Sequence, residues 1–223
     1  MLYVARGESL CVLYVVFGNN CALVLKKRRY VGGLMAPKVR ITKEQIVEAA
    51  LALVCETGDA NVNPRSIAKE IGCSTQPIYS NFPTIEELEA AVLEGAHACY
   101  LGFIEKEVKS GRYPEYKAFG MAYIRFAKEE SALFRMLFMR DNEGVAPAPT
   151  ADYTASVELI MKANGISRER AELMHLEMWA CVHGIAVMLA TSYFALDWEL
   201  ISRMVSDVYQ GVRSMQALEG KEA

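Results

Sequence analysis

Residues 75–81 carry side chains that form hydrogen bonds but bear no formal charge. They are Thr75, Gln76, Tyr79, Ser80 and Asn81. Amide and hydroxyl groups of this kind, presented by one short helix, can contact base edges and phosphate oxygens in the major groove of DNA. A plain helical hairpin with a polar outer face is the alternative that the pattern leaves open.

The residues before this set predict a first short helix and a tight turn. Asn63 can accept hydrogen bonds from the free N–H groups of a helix start, and Pro64 suits the first helical position. Gly72 can adopt the left-handed conformation that ends a helix. The apolar residues of the predicted helix fall on one face: Ile67, Ala68 and Ile71.

A second short helix, Thr75–Phe82, is predicted to follow, with Ser74 as its N-cap. Its apolar residues Ile78 and Phe82 are four positions apart and are expected to face inward. Small residues in the first helix and in the turn permit the two helices to cross closely. The pair therefore predicts a helix-turn-helix, which favours DNA binding over the plain hairpin.

An earlier helix completes a predicted three-helix head over residues 42–82. Thr42 and Gln45 have the spacing of a capping box, and Gly58 ends the helix. Its inner face is predicted from the spacing of Ile46, Ala49, Ala50, Leu53 and Val54. Positive and negative residues balance over residues 38–82, so the head must bind DNA through direct contacts rather than through overall charge.

Composition excludes a disordered chain and a strongly basic one. Of 223 residues, 52% are hydrophobic and 23% are charged, and the formal net charge is −3. The apolar content is sufficient for a substantial core. A DNA-binding protein of this charge needs a local binding surface on a larger, acidic body.

Cysteine and histidine spacing predicts no metal site, no cofactor and no catalytic centre. The cysteines are scattered at Cys11, Cys21, Cys55, Cys73, Cys99 and Cys181, without a C-x-x-C pair. Buried thiols in a reducing cytoplasm are expected. Of the histidines His97, His175 and His183, the last two lie eight positions apart, too far for one metal on a single helix. We expect His183 to be a hydrogen-bonded core or pocket residue.

Residues 1–34 differ from the rest of the chain. The apolar run Leu10–Phe17, a turn at residues 18–20 and a second apolar run predict a β-hairpin. The basic cluster 26–29 follows the apolar residues, which is the wrong order for a signal peptide, and the interrupted run is too short for a membrane span. Our hypothesis is that residues 1–34 are an added leader and that the working protein begins at Met35.

The remaining chain is predicted to be helical throughout, with no membrane contact. Thr84 caps a long connector helix to about Lys109. Further helices are predicted over 116–128, 132–138 with Ser131 as cap, 153–163, 168–193 with Ser167 as cap, and from Asp197 to about Met215, with a loop at Asp141–Thr150.

The last two predicted helices suggest a dimer. The helix predicted over 168–193 has small side chains that permit close helix packing, at Ala180, Gly184, Ala186 and Ala190. The last predicted helix is apolar on more than one side. Its apolar residues are Leu200, Met204, Val208 and Val212 together with Ile201, Val205 and Tyr209. A two-fold homodimer would cover this surface, and a monomeric buried helix is the alternative.

The runs A-A-L-A-L-V, S-I-A-K-E-I-G-C-S-T-Q-P-I-Y-S-N-F and E-E-L closely resemble the N-terminal domain of the TetR family of bacterial transcription regulators. The later W-A-C-V-H-G resembles the C-terminal domain of one branch. The resemblance implies an all-α homodimer that binds a palindromic operator and releases it when a small molecule enters the body. It divides the chain into a leader (1–34), a helix-turn-helix DNA-binding domain (41–88) and a helical ligand-binding and dimerisation domain (89–217).

The resemblance also implies roles for residues of the head. Thr75, Gln76 and Pro77 resemble base-facing residues, Tyr79 and Asn81 resemble phosphate or groove contacts, and Asn63, Arg65 and Ser74 resemble phosphate-side contacts. With Ser80 from the polar face, these form the predicted DNA-binding set. The family usually has a lysine where this chain has Ile85, so the expected phosphate contact lacks its cation, and only the backbone N–H groups at that helix start could bind an anion.

Apolar and aromatic residues of the body are candidates to line an effector pocket. They are Met121, Tyr123, Phe126, Phe134, Phe138, Met178, Trp179, His183 and Met188. Their types suggest an apolar or aromatic effector. The sequence thus predicts a cytoplasmic, ligand-responsive regulator, expected to be a repressor rather than an enzyme. The competing interpretation is a helical small-molecule-binding protein or enzyme whose helix-turn-helix is not used on DNA.

Overall fold

The computed structural model describes residues 14–17, 20–23, 41–140 and 151–222. Within these ranges the protein is all-α apart from one short hairpin, as the sequence predicts. The strands are β1 (Tyr14–Phe17) and β2 (Asn20–Leu23). The helices are α1 (Lys43–Thr57), α2 (Pro64–Ile71), α3 (Gln76–Asn81), α4 (Ile85–Lys109), α5 (Glu115–Glu129), α6 (Ser131–Phe138), α7 (Ala151–Asn164), α8 (Arg168–Ala190) and α9 (Trp198–Glu222), with a 3₁₀ turn at Asp59–Asn61.

The hairpin pairs β1 with β2 in antiparallel register, with Tyr14 opposite Leu23 and Phe17 opposite Asn20. Strand β1 lies within the first apolar run, and β2 begins at Asn20, a predicted turn residue, and continues into the second apolar run. The other residues of the predicted leader, including the basic cluster, lie outside the described residues. The proposed start at Met35 therefore stays a prediction.

Helix α1 begins and ends where its capping residues predict. The Thr42 N–H donates to Gln45 Oε1 at 3.0 Å, and the Gln45 N–H donates to Thr42 Oγ1 at 3.3 Å, which completes the capping box. Gly58 ends the helix with a φ of 82°. Ile46 and Val54 are buried on the predicted inner face.

The structure divides into two compact units between Cys99 and Tyr100, inside α4. The first half of α4 belongs with α1, because a Cβ at Gly95 would lie 2.8 Å from Val47 Cγ1. Any larger residue at position 95 would force the Val47 side chain to shift, so glycine suits the place where the two helices touch. The predicted boundary between residues 88 and 89 lies earlier in the same helix.

The second unit is built around α5 and α8, which pack on each other along their length. Gly120 allows the close approach, since a Cβ there would lie 3.3 Å from Val182 Cγ2. Helices α7 and α9 cover α8, and α6 packs on α5 and α8. The largest fully buried side chains of this unit are Met121, Ile124, Phe126, Leu133, Phe134, Ile160, Met174, Ile185 and Ile201.

Polar contacts fix the ends of α8 and α9. Ser167 Oγ accepts from the Arg170 N–H, and Asp197 Oδ1 accepts from the Leu200 N–H at 2.8 Å, as both predicted caps require. Arg135 donates from Nη1 to the Ala190 carbonyl at 2.9 Å, which places a positive charge at the negative end of the α8 dipole.

Helix α8 is long and apolar enough, by length and composition, to cross a membrane. Core helices of compact domains satisfy the same test. Its buried residues, among them Met174, Val182 and Ile185, contribute to the core of the second unit.

Two predicted caps are wrong, and two helix ends differ. Helix α3 begins at Gln76 with Thr75 as N-cap, so Ser74 lies outside it. Ser131 is the first residue of α6, and Glu130 precedes it with its N–H bonded to the Phe126 carbonyl at the end of α5. Helix α8 ends at Ala190 rather than near Tyr193, and α9 continues past Met215. The predicted loop 141–150 lies outside the described residues.

Candidate DNA-binding surface and effector site

The turn between α2 and α3 has the geometry of a helix-turn-helix. Gly72 has φ 80° and ψ 35°, the left-handed conformation that glycine adopts without strain. The N–H groups of Gly72 and Cys73 donate to the Ala68 carbonyl at 3.0 and 2.9 Å. These bonds end α2 and turn the chain directly into α3.

Asn63 caps α2 through its side chain. Its Oδ1 accepts from the N–H groups of Arg65 and Ser66, both at 3.0 Å, and the Asn63 N–H donates to Ser66 Oγ at 3.0 Å. The cap stabilises the start of α2 and holds Arg65 at an exposed position in the first helical turn. The phosphate contact inferred for Asn63 stays a prediction.

Two predicted DNA-binding residues at the end of α3 also bond to the fold itself. Asn81 Nδ2 donates to the carbonyls of Ile41 at 3.2 Å and Pro77 at 2.8 Å. Ser80 Oγ donates to the Gln76 carbonyl at 2.9 Å. With Ile78 and Phe82 buried beneath, these bonds fix α3 on the start of α1.

The other polar members of the predicted DNA-binding set have unpaired side chains. Among the described residues, no hydrogen-bond or ion-pair partner is found for Arg65, Ser74, Thr75, Gln76 and Tyr79. Tyr79 is 49% exposed, and Pro77 lies between the polar residues on α3. These donors and acceptors come from the first turn of α2, from the turn and from α3, and groups of this kind can contact base edges and phosphates.

The start of α4 lacks the cation that the resemblance would place there. Ile85 is exposed at 48%, and Glu86 and Glu87 occupy the first turn. Thr84 Oγ1 accepts from the Glu87 N–H at 3.2 Å, which confirms Thr84 as the cap. The carboxylates suit the positive end of the helix dipole but would repel a phosphate.

In the second unit, aromatic rings from three helices surround Phe138. Its ring centroid lies 5.3 Å from that of Tyr100, 4.8 Å from Tyr123, 5.4 Å from Phe134 and 6.5 Å from Phe126. The four surrounding rings are buried, whereas Phe138 is half-buried. We call these four rings the aromatic box.

A hydrogen-bonded pair lies beside the aromatic box. The Tyr123 hydroxyl is 2.8 Å from His183 Nδ1, and the Trp179 ring stacks on His183 with centroids 4.7 Å apart. Burial raises the pKa of Tyr123 and lowers the pKa of His183, so both side chains are neutral at pH 7. We assign the histidine proton to Nε2, so that the Tyr123 hydroxyl donates to Nδ1.

The predicted pocket residues occupy different environments. Met121, Phe126, Phe134, Tyr123 and Met178 are buried. Phe138, His183 and Met188 are half-buried, and Trp179 is 42% exposed. The structure brings Tyr123, Phe126, Phe134 and Phe138 together, while the pocket role of the whole set stays a prediction.

Sequence reasoning missed two aromatic residues of this region, Tyr100 and Phe103. Phe103 lies against Phe126 with centroids 5.4 Å apart. Both belong to α4, which was interpreted only as a connector. Their spacing with Ala96 and Glu107, at steps of three and four, is the helical signal that would have indicated an inward face.

A second tyrosine–histidine pair, also missed, lies farther along the same two helices. The Tyr116 hydroxyl of α5 is 3.1 Å from His175 Nδ1 of α8, and the Tyr153 ring contacts His175 at 5.1 Å. Burial lowers the pKa of His175 against a smaller opposing effect of Asp152. Two such pairs therefore join α5 to α8.

Ionisable side chains connect α4 and α9 to α5. Glu107 is 5% exposed, and its Oε2 accepts from Arg125 Nε at 3.1 Å. The Arg125 guanidinium lies 4.3 Å from the Trp198 ring centroid. Nearby in the chain, burial raises the pKa of Glu130 to about 7. No group of three or more potential metal ligands is found among the residues described.

The chain is similar to one protein family and to one transcriptional regulator. A family described as a tetracyclin repressor-like C-terminal domain matches residues 116–208. The chain is also similar to an uncharacterised HTH-type transcriptional regulator of Mycobacterium tuberculosis (strain ATCC 25618 / H37Rv), with 24% identity over 163 residues. That similarity covers 70% of this chain and 74% of the relative.

The match over residues 116–208 begins in α5 and ends in α9, so it includes most of the helices of the second unit. The relative is named for a helix-turn-helix, the arrangement that α2, Gly72 and α3 form in the first unit. The match of the body and the relative named for a helix-turn-helix together support the TetR family of transcriptional regulators.

Proposed function

We propose that this transcriptional regulator is a repressor that binds a palindromic DNA operator as a homodimer and releases it when a small apolar or aromatic effector binds. The observation that carries the proposal is the surface of Arg65, Ser74, Thr75, Gln76 and Tyr79, whose polar groups lack partners in the described residues. In the free protein such side chains are hydrated, and they can exchange water for hydrogen bonds to base edges and phosphates. The protein acts in the cytoplasm and performs no chemical reaction.

The homodimer is supported by the exposed side of α8. Leu173 and Leu176 are exposed there, and Gly184 has no atom within 4 Å of the position of a Cβ. On α9, Gly211 likewise has no atom within 4 Å of the position of a Cβ, and Met215 is exposed. Large apolar side chains beside open glycines suit close helix packing against a second copy. Of the small residues predicted to permit close packing of α8, Ala186 and Ala190 are buried within the unit instead.

Regulation is proposed to act through α4. This helix begins beside the helix-turn-helix in sequence, and its second half contributes Tyr100 to the aromatic box. Suppose that α4 has two positions and that the effector binds the protein more tightly in one of them. The effector then shifts the protein towards that position, and the operator affinity of the head can change by at most the ratio of the effector's two affinities.

The test is operator binding by the full chain and by variants of the exposed polar surface. DNA flanking the protein's own gene is titrated at moderate salt and followed by fluorescence anisotropy. The triple variant Arg65→Ala, Gln76→Ala, Tyr79→Ala is expected to lose at least about 100-fold in affinity, since contacts of this type contribute about 1–3 kcal/mol each. Glu56→Ala, at an exposed site near the end of α1, is the matched control and should bind normally.

The proposal fails if the wild-type protein shows no sequence preference, or if the triple variant binds as the control does. The competing interpretation, a small-molecule-binding protein or enzyme, predicts that the triple variant leaves every measured activity unchanged. Steady turnover of a bound small molecule would favour that alternative directly.

A further inference from the structure

We propose that the Phe138 ring is a built-in substitute for the effector, and that a neutral aromatic effector takes its place inside the aromatic box. The inference rests on the proposed function, because it states which chemical group of the effector the body recognises and how the site is closed without it. In this proposal Phe138 occupies the aromatic box, and the four surrounding rings form its walls.

The positions of the rings support this distinction. Phe138 contacts rings on α4, α5 and α6, and its centroid lies within 5.4 Å of three of them, Tyr100, Tyr123 and Phe134. These are ordinary distances for aromatic pairs, so an aromatic ring is already bound in the box. The walls are 6% exposed or less, whereas Phe138 retains contact with solvent.

Phe138 is also the member of the cluster that can move most readily. It is the last residue of α6, and the N–H of the following Met139 bonds back to the Arg135 carbonyl. Phe134, one turn earlier, is fully buried and fixed between Tyr123 and His183. Because Phe138 is half-buried at the end of a helix, its ring can rotate towards solvent, a path that the buried wall rings lack.

Polar groups beside the box favour a neutral guest that can donate a hydrogen bond. The Tyr123 proton is directed to His183, and the Tyr123 oxygen, which also interacts with the Trp179 side chain, keeps one further lone pair as an acceptor. Burial, and to a lesser extent the charge of Asp152, raises the pKa of Tyr100, so a negative charge is disfavoured at this position. A neutral ring with an N–H or O–H group fits, and an aromatic carboxylate does not.

An internal occupant weakens effector binding, because the effector binds only the fraction of molecules whose ring has left. Phe138→Ala removes the occupant and leaves a space of the same shape. We expect it to bind indole, a neutral ring with one N–H donor, at least about tenfold more tightly than wild type, as judged from the burial energy of an aromatic side chain. Benzoate, a ring of similar size with a negative charge, should gain no comparable affinity.

The experiment is calorimetric titration of the wild-type protein and its variants with indole and benzoate, paired with operator anisotropy at saturating indole. Phe103→Ala is the matched control, since it removes a ring that touches Phe126 and lies outside the four walls. Phe138→Leu retains an apolar side chain and is measured beside Phe138→Ala, so that a folding defect in the alanine variant does not decide the result. Tighter indole binding by both Phe138 variants and not by Phe103→Ala, with indole-dependent release of DNA, is the expected outcome.

Equal indole affinity in wild type and both Phe138 variants would overturn the inference, as would an equal gain in Phe103→Ala. Tighter binding without release of DNA would overturn it as well, because the box would then be a cavity unconnected with regulation. Each of these results leaves operator binding by the wild-type protein intact. Loss of sequence-specific DNA binding in the wild type contradicts the proposed function itself, and is a separate observation.

Discussion

Two tyrosines summarise the contrast between the two units. Tyr79 on α3 is 49% exposed, and its hydroxyl has no partner among the described residues. Tyr123 on α5 is 4% exposed, and its hydroxyl is bonded to His183. A polar group in water loses little when unpaired, whereas a buried one costs about 1–3 kcal/mol unless it is bonded. The first unit can therefore keep its donors available for a partner, while the second must pair them internally.

The two units also differ in what stabilises them. In the first unit, helix ends are fixed by bonds between residues two to four apart, as at Thr42, Asn63 and Gly72. In the second, contacts join distant parts of the chain, such as Tyr123 with His183 and Lys117 with Ser202. Substitutions in the two units should therefore act through different properties, and four predictions test this.

The largest effect is expected from Phe134→Ala in the second unit. Because Phe134 is fully buried among aromatic rings, the substitution should lower the free energy of unfolding by about 3–5 kcal/mol. The measurement is urea unfolding followed by circular dichroism. Tyr79→Ala is the control from the first unit and should change the stability by about 0.5 kcal/mol or less, since exposed side chains contribute little. Similar losses in both variants would remove the contrast.

A smaller effect, about 1 kcal/mol, is expected from Asn63→Ala, which removes the cap of α2. Asn63→Asp keeps an acceptor for the N–H groups of Arg65 and Ser66 and should restore the stability. If Asn63 also lies near a phosphate, the aspartate variant will be stable but will bind operator less well. Stability and anisotropy measurements on both variants separate the two roles. Equal stability of wild type and Asn63→Ala would show that the cap contributes nothing.

The sequence was sufficient for the first unit because its determinants are local. A capping residue, a proline and a glycine lie within a few positions of the structure they specify, so Asn63, Pro64 and Gly72 could be interpreted without knowing any distant contact. The predicted N-cap of α3, Ser74, lies one residue before the observed N-cap, Thr75, which is an error of one residue. It arose because Thr75, whose carbonyl accepts from Ile78 and Tyr79, serves as the N-cap without a side-chain bond.

The candidate effector site was less predictable because its members are distant in the chain. The fold class and most helix positions follow from periodicity. The pairing of Tyr116 with His175 depends on how α5 and α8 pack, and the position of Tyr100 beside Phe138 depends on how α4 and α6 pack. Trp179 and Phe138 were grouped by residue type alone, although one is exposed on α8 and the other lies among four rings. Residue type predicts burial better than it predicts neighbours.

A still smaller effect, this time on operator affinity rather than on stability, is expected from Tyr79→Phe, which removes only a hydroxyl. If that hydroxyl bonds to DNA, the affinity should fall about two- to fivefold without a change in stability, in keeping with a single neutral hydrogen bond. Tyr123→Phe is the matched control. It should leave intrinsic operator affinity unchanged but lower the stability, because His183 loses its partner. The reverse pattern, with Tyr79→Phe affecting stability alone, would contradict the division of roles between the two tyrosines.

The smallest effect is expected from a change of pH between about 7.5 and 5.5, through the buried histidines of the second unit. Burial lowers the pKa of His175 and His183 in the folded protein, so the unfolded chain binds more protons just below its histidine pKa of about 6.5. The stability contributed by neutral histidines is therefore present above about pH 6.5 and is lost as the pH falls below it. Glu130 acts in the opposite sense, because its raised pKa of about 7 favours the folded state as the pH falls below 7.

The two effects can be separated in a Glu130→Gln background, where the midpoint of urea unfolding should decrease between pH 7.5 and 5.5. Adding His175→Gln and His183→Gln should flatten that dependence, because no histidine of α8 then remains to take up a proton on unfolding. If the double substitution leaves the dependence of the unfolding midpoint on pH as steep as before, the paired tyrosine–histidine contacts of the body do not account for its acid sensitivity.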